Sequence, residues 1–162
     1  MPHSKKVVLL GHFGVGKTSL IRRFIDDAFH EDYLVTVGVH VKKKVVSYQN
    51  EEVTLIIWDI EGKTSVADAR KSYLLGSHGF IYVFDVSRPE TFQQLNEEIS
   101  QLEQMNPEVP VCILGNKKDL LTPETQQIFA SVKFEKVIFT SAKEGENVAE
   151  AFDILTSKMV SS

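Results

Sequence analysis

The sequence predicts an α/β fold, a mostly parallel six-stranded sheet with one antiparallel edge strand and helices on both faces. Short apolar runs of strand length alternate with helix-period segments along the whole chain. Two of the runs flank the polar turn Gln49-Asn50-Glu51-Glu52, a hairpin that adds the one antiparallel strand. At 162 residues the chain is long enough to bury a full core as a single domain spanning 1–162.

The elements follow in order. Val7–Leu10 is a short apolar run ending in a Gly-rich turn, which reads as a buried strand. Thr18–Phe24 reads as a helix. Val37–Tyr48 and Val53–Asp59 form the hairpin, and Phe80–Asp85 is another buried strand. Pro89–Met105 carries Phe92, Leu95, Ile99 and Leu102 at helical spacing. Pro110–Gly115 reads as a strand, Pro123–Ala130 as a short helix and Val137–Phe139 as a strand. Val148, Phe152 and Leu155 set one apolar face on a final helix. In such sheets ligands bind at the carboxyl ends of the strands, so the chemistry belongs just after each buried run.

Composition narrows the function. Hydrophobic residues are 43% and charged residues 25%, as in ordinary globular proteins. The net charge of −4 disfavours general nucleic-acid binding, which needs a basic face. A lone Cys112 excludes an internal disulfide and fits a reducing compartment and a core position. No apolar run reaches the ~18 residues of a membrane span. Pro2 stands where N-myristoylation needs Gly, and Val160-Ser161-Ser162 offers no cysteine to prenylate. The expectation is a cytoplasmic, monomeric chain without a lipid anchor. His3, His12, His30, His40 and His78 show no ligand spacing. Lys42-Lys43-Lys44 falls on the expected edge strand, where lysines guard against edge pairing or meet an effector or anionic lipid. Trp58 fits either the core or the surface.

Four segments carry chemistry. Gly11-His12-Phe13-Gly14-Val15-Gly16-Lys17-Thr18 matches G-x-x-x-x-G-K-[ST] after a strand and before a helix, the pattern of P-loop NTPases. Its glycines let backbone N–H groups curl around phosphate oxygens at a helix N-terminus. Gly14, Val15, Gly16, Lys17, Thr18 and Ser19 are the candidate phosphate ligands, with Lys17 reaching the β- and γ-phosphates and the Thr18 hydroxyl binding Mg²⁺. Asp59 ends an apolar strand, where a carboxylate is costly without a partner, and a Mg²⁺ water shell supplies one. In Asn116-Lys117-Lys118-Asp119 the carboxylate of Asp119 can accept from guanine N1–H and the exocyclic amine, while adenine presents a lone pair instead. The Lys117 stem can lie along the base plane. In Thr140-Ser141-Ala142-Lys143, backbone N–H groups of Ser141, Ala142 and Lys143 can meet guanine O6.

Together these motifs resemble the small GTPases of the Ras superfamily, nearest the Rab-like branch. Trp58 before Asp59, Arg70-Lys71-Ser72-Tyr73 and Val83-Phe84-Asp85-Val86-Ser87 carry the Rab-like flavour. The resemblance implies that Phe29 stacks on the guanine edge and Tyr33 closes over the phosphates. It implies that Thr36 ligates Mg²⁺ from switch I and that the Gly62 N–H contacts the γ-phosphate from switch II. Loss of that phosphate would release both loops. Effectors, exchange factors and GTPase-activating proteins would read the switch regions.

Three residues depart from the family at the γ-phosphate. Lys63 stands at the water-orienting glutamine; it has donors only and cannot accept a proton from water. Its charge can still stabilise the transition state. Glu61 replaces the usual alanine and adds like charge beside a triphosphate. Phe13 stands where glycine or a small residue is usual, and its ring crowds a catalytic glutamine or an arginine finger, unless it packs against switch II. The expectation is a GTP/GDP switch with slow hydrolysis, in which Thr36, Gly62 and Lys63 occupy the catalytic positions. The alternative is a hydrolysis-deficient, GTP-bound scaffold. A P-loop kinase would need arginines on a lid, and Arg22, Arg23, Arg70 and Arg88 occupy no obvious one.

Overall fold

The computed structural model describes residues 3–25, 32–36, 39–60, 71–130 and 137–160, of which 3, 32–36, 71–72 and 128–130 are described as backbone. Strands β1 (His3–Gly11), β2 (Asp32–Thr36), β3 (Val39–Tyr48), β4 (Glu51–Ile60), β5 (Gly79–Asp85), β6 (Val111–Asn116) and β7 (Val137–Phe139) form one sheet in the order β2-β3-β4-β1-β5-β6-β7. β1 runs parallel to β4 and β5, and β5, β6 and β7 continue in parallel. β3 alone runs antiparallel, against both β2 and β4.

The expected architecture is present, with a seventh short strand added. β2 pairs with the first part of β3, Asp32 opposite Lys42 and Thr36 opposite Val39. β3 is therefore not the outermost strand along Val39–Lys42, and the edge-guarding role expected of Lys42 does not hold. Its side chain is buried, whereas Lys43 beyond the β2 pairing is exposed. The hairpin turn is also tighter than the four polar residues suggested. Tyr48 pairs with Glu51, and Gln49 and Asn50 both take positive φ (49° and 66°), as a two-residue turn matched to strand twist requires.

Side chains alternate across the sheet. Val7 and Leu9 of β1 with Ile81 and Val83 of β5 face one layer, which contains helix α1 (Lys17–Ile25) and the C-terminal helix Val148–Val160. Val8 and Leu10 with Phe80, Tyr82 and Phe84 face the other, which holds Leu95 and Leu102 of the helix Leu95–Met105. All seven β5 residues are buried, as expected for a strand covered on both faces. Pro89 does not begin the long helix: Pro89–Thr91 is a 3₁₀ turn, and the α-helix starts at Leu95. Val148, Phe152 and Leu155 are buried as their spacing predicts, and Phe152 stacks on Phe24 of α1 at 3.8 Å. Cys112 is a buried core residue whose thiol is pushed up by burial. Trp58 resolves as half-buried, with Lys6 Nζ 4.1 Å from its ring and Tyr73 beside it. Among the described residues no helix is long and apolar enough to cross a membrane.

The C-terminal ends of β1, β4, β5, β6 and β7 lie along one rim of the sheet. That rim carries the glycine-rich loop, Asp59, Asp85, Asn116 and the segment from Thr140.

Candidate functional site

The glycine-rich loop leads from β1 directly into α1, so its N–H groups gather at a helix N-terminus. Gly16 has φ of +98°, and a Cβ there would lie 2.3 Å from Asn116 Nδ2, so the close approach of the two segments requires glycine. Lys17 is buried; its ammonium donates to the Ile60 carbonyl and lies 4.0 Å from Asp59 Oδ1. Thr18 Oγ1 donates to Asp59 Oδ2 at 3.0 Å. Asp59 Oδ1 is buried without a hydrogen-bond partner. A buried carboxylate oxygen beside a threonine hydroxyl is the oxygen-rich donor set that a hard divalent cation and its waters satisfy, so these residues fit Mg²⁺.

At the other end of the cleft the two polar turns lock together. Asn116 is buried at the end of β6. Its Nδ2 donates to Val15 O at 2.9 Å, and its Oδ1 accepts from Thr140 Oγ1 and Ala142 N, each at 3.2 Å. One amide thereby ties the phosphate loop to both base-side segments. Ser141 Oγ donates to Asp119 Oδ1 at 3.0 Å, fixing the carboxylate. Lys117 sits in the left-handed region at φ 65°. Its Nζ donates to Gly14 O at 3.0 Å and pairs with Asp85 Oδ2 at 2.8 Å. This last contact is an ion pair rather than an aligned hydrogen bond.

Asp85 enters the sequence reading only as the end of the Phe80–Asp85 strand and within Val83–Ser87, as part of the family resemblance, and has no site role there. It is fully buried at the end of β5 and accepts on Oδ1 from Ser87 N (2.9 Å) and Ser87 Oγ (2.6 Å). Burial pushes its carboxyl up, but Lys117 and the Ser87 hydrogen bonds outweigh that and hold it below the usual carboxylate value.

A cavity of about 520 Å³ opens between these elements, lined by Gly16, Ser19, Asn116, Lys117, Asp119, Leu120, Ala142 and Lys143. Of the sequence-derived residues, Gly16 and Ser19 of the phosphate set and Asn116, Lys117, Asp119, Ala142 and Lys143 of the base set line this space, whereas Gly14, Val15, Lys17, Thr18 and Ser141 are not among its lining residues. Phe13 does not line it; it leaves the loop with 72% of its surface exposed. Thr36 lies on β2, and its side chain, like that of Tyr33, is outside the described residues. Phe29, Glu61, Gly62 and Lys63 also lie outside them.

A phosphate loop between a parallel strand and a helix, with a carboxylate at the end of β4, defines a P-loop nucleotide-binding protein. The family model described as Ras family matches residues 6–161. The Ras-related protein RABD2b of Arabidopsis thaliana is 34% identical over 158 residues, 94% of this chain and 78% of the relative. The GTP-binding protein YPTM2 of Zea mays is 34% identical over 153 residues, 91% of this chain and 75% of the relative. The chain belongs to the Ras family and is a Rab-like small GTPase. Family membership supports GTP binding and GTPase chemistry in general, and recognition by effectors, exchange factors and activating proteins as a class.

Proposed function

We propose that this chain is a guanine-nucleotide switch, a single domain over 1–162, that holds GTP or GDP and hydrolyses GTP slowly. The observation that carries the base assignment is the Ser141–Asp119 contact, with Asp119 on the wall of the cavity. Ser141 donates to one carboxylate oxygen and leaves the carboxylate oriented to accept from guanine N1–H and the exocyclic amine. Ala142 and Lys143 would supply N–H groups for O6, the Lys117 stem would lie along the base, and Phe29 would cover its edge. Gly14, Val15, Gly16, Lys17, Thr18 and Ser19 bind the phosphates. Thr18 and Thr36 hydroxyls would hold Mg²⁺, with Asp59 acting through water. The cation would neutralise charge on the β- and γ-phosphates.

In hydrolysis a water oxygen bonds to the γ-phosphorus, and the bond to the β–γ bridging oxygen breaks. The products are GDP and phosphate. Positioning that water is the demanding part. Thr36 and Gly62 would hold the switches in place, but Lys63 can only donate. Phe13 is 72% exposed, which supports a ring standing free to compete with any group that approaches the γ-phosphate. The same observation favours a second reading, a GTP-bound scaffold that does not turn over and is read by an effector through its switch regions.

The nucleotide released from freshly purified protein by ion-exchange chromatography separates these readings. A mixture of GTP and GDP is expected of the slow switch, and GTP alone of the scaffold. GDP alone would count against slow hydrolysis, and ATP or no nucleotide would overturn the base assignment.

A further inference from the structure

The phosphate loop is gripped from outside at three consecutive carbonyls. Val15 O accepts from Asn116 Nδ2 at 2.9 Å, Gly14 O from Lys117 Nζ at 3.0 Å, and Phe13 O from Arg88 Nη1 at 3.0 Å. In a trans peptide the C=O and the following N–H point in opposite directions. Each carbonyl drawn outward therefore turns the next N–H, of Gly16, Val15 and Gly14 in turn, toward the space inside the loop. Asn116 and Lys117 belong to the base-side segment. Arg88 comes from the turn after β5, which no nucleotide motif includes.

That turn holds Arg88 in place. Its N–H donates to Asp85 O at 3.1 Å, and its carbonyl accepts from Thr91 N at 2.9 Å and Thr91 Oγ1 at 2.7 Å. Its Nε donates to Glu90 Oε1 at 3.0 Å, which leaves the Nη1 end of the guanidinium fork aimed at the loop. A Cβ built on Gly14 would lie 3.0 Å from Nη1, and Gly14 has φ of +79°. The guanidinium thus lies against the loop backbone itself. The tether matters at this point of the loop because the Phe13 ring, largely exposed, does not anchor it by packing.

We propose that Arg88 is a positioning residue for phosphate binding. It fixes the Phe13 carbonyl, turns the Gly14 N–H toward the phosphates and slows nucleotide release. This rests on the guanine-nucleotide reading above. Arg88 acts on the phosphate half of the cleft, so its loss changes how long a diphosphate stays without changing which base is preferred.

The test is the dissociation rate of fluorescently labelled GDP, chased with excess GDP, together with the ratio of GDP to inosine diphosphate affinity. Wild type, Arg88→Ala and Arg88→Lys are compared. Arg88→Ala is expected to release GDP about tenfold faster, the worth of one charge-assisted hydrogen bond. Arg88→Lys, which keeps one cationic donor, falls between Ala and wild type, and the GDP preference over inosine diphosphate is unchanged in both variants. Unchanged release from Arg88→Ala would overturn the role. So would equally fast release from both variants with a collapsed base preference, which marks general distortion. A wild-type protein that binds neither nucleotide would instead overturn the guanine-nucleotide reading, and this role with it.

Discussion

The two ends of the nucleotide cleft are built differently. At the base end, side chains bind one another before any ligand arrives: Asn116 spans three segments, Ser141 fixes Asp119, and Lys117 is held between Gly14 O and Asp85. At the phosphate end, among the described residues, Lys17 donates to Ile60 O and Thr18 Oγ1 to Asp59 Oδ2, and the arrangement is otherwise more open. Asp59 Oδ1 is buried without a hydrogen-bond partner, and Phe13 projects 72% exposed from the loop. A prearranged network binds without reorganising, because its donors and acceptors are already ordered. An end left open leaves its chemistry to a cation and to mobile or partner groups. On the proposed reading, retention of guanine nucleotide and hydrolysis of its γ-phosphate would rest on separate sets of residues, so substitutions should move one without the other.

The largest expected effect breaks the base end. Asp119→Asn replaces an acceptor by a donor facing guanine N1–H, and GTP affinity should fall by a factor on the order of 10⁴. A base with a carbonyl at C2, such as xanthine, should gain in the same competition assay. Full GTP affinity in this variant would show that the carboxylate does not read the base. Next in size is Thr18→Ala at the phosphate end. It should weaken GTP roughly tenfold more than GDP, because the γ-phosphate shares the metal that this hydroxyl would hold. Titration with both nucleotides in Mg²⁺ buffer checks it, and equal losses would place the cation elsewhere.

A smaller effect joins the two ends. Asp85→Asn leaves Lys117 with a neutral partner and should cost about 1–2 kcal/mol of stability at pH 7. The Asp85 carboxyl is held below its ordinary value in the folded chain. Its contribution is therefore complete above the unfolded value near pH 4 and fades as the pH falls through the folded one. Thermal melts of wild type and Asp85→Asn should converge on the acid side and differ most near neutrality. A constant difference down to low pH would mean that the ion pair is not the source.

The meeting of Asn116–Asp119 with Thr140–Lys143 was legible because each segment lies at the end of a strand of the parallel sheet, and Asp59 was legible because an apolar strand ending in a carboxylate demands a partner. The same argument applies to Asp85, which ends the fully buried β5, and it would have flagged that residue from sequence. Arg88 gave no such signal. Its acceptor is a backbone carbonyl 75 residues earlier in the chain, and any residue type offers one. Strand β2 was also missed: Asp32–Thr36 is only five residues, and its pairing to β3 comes from the neighbouring backbone rather than from an alternating pattern of its own. That omission is why Lys42 was read as an edge lysine. Helical periodicity across Pro89–Met105 blurred the 3₁₀ turn that aims Arg88, since Phe92 packs on the same layer as Leu95.

The separation of binding from hydrolysis is tested most directly by single-turnover hydrolysis of preloaded GTP in wild type and in Phe13→Gly, Lys63→Gln and the triple variant with Glu61→Ala. Ras-type intrinsic rates are on the order of 10⁻⁴ s⁻¹ with the glutamine present. Wild type should fall below that while retaining GTP. Lys63→Gln alone should gain little because on this reading Phe13 would still occupy its working position, and Phe13→Gly alone should gain little because nothing would orient water. The triple variant should gain most, as expected for residues that act as a unit. Wild-type turnover at or above the Ras-type rate, or a full gain from Lys63→Gln alone, would contradict the account.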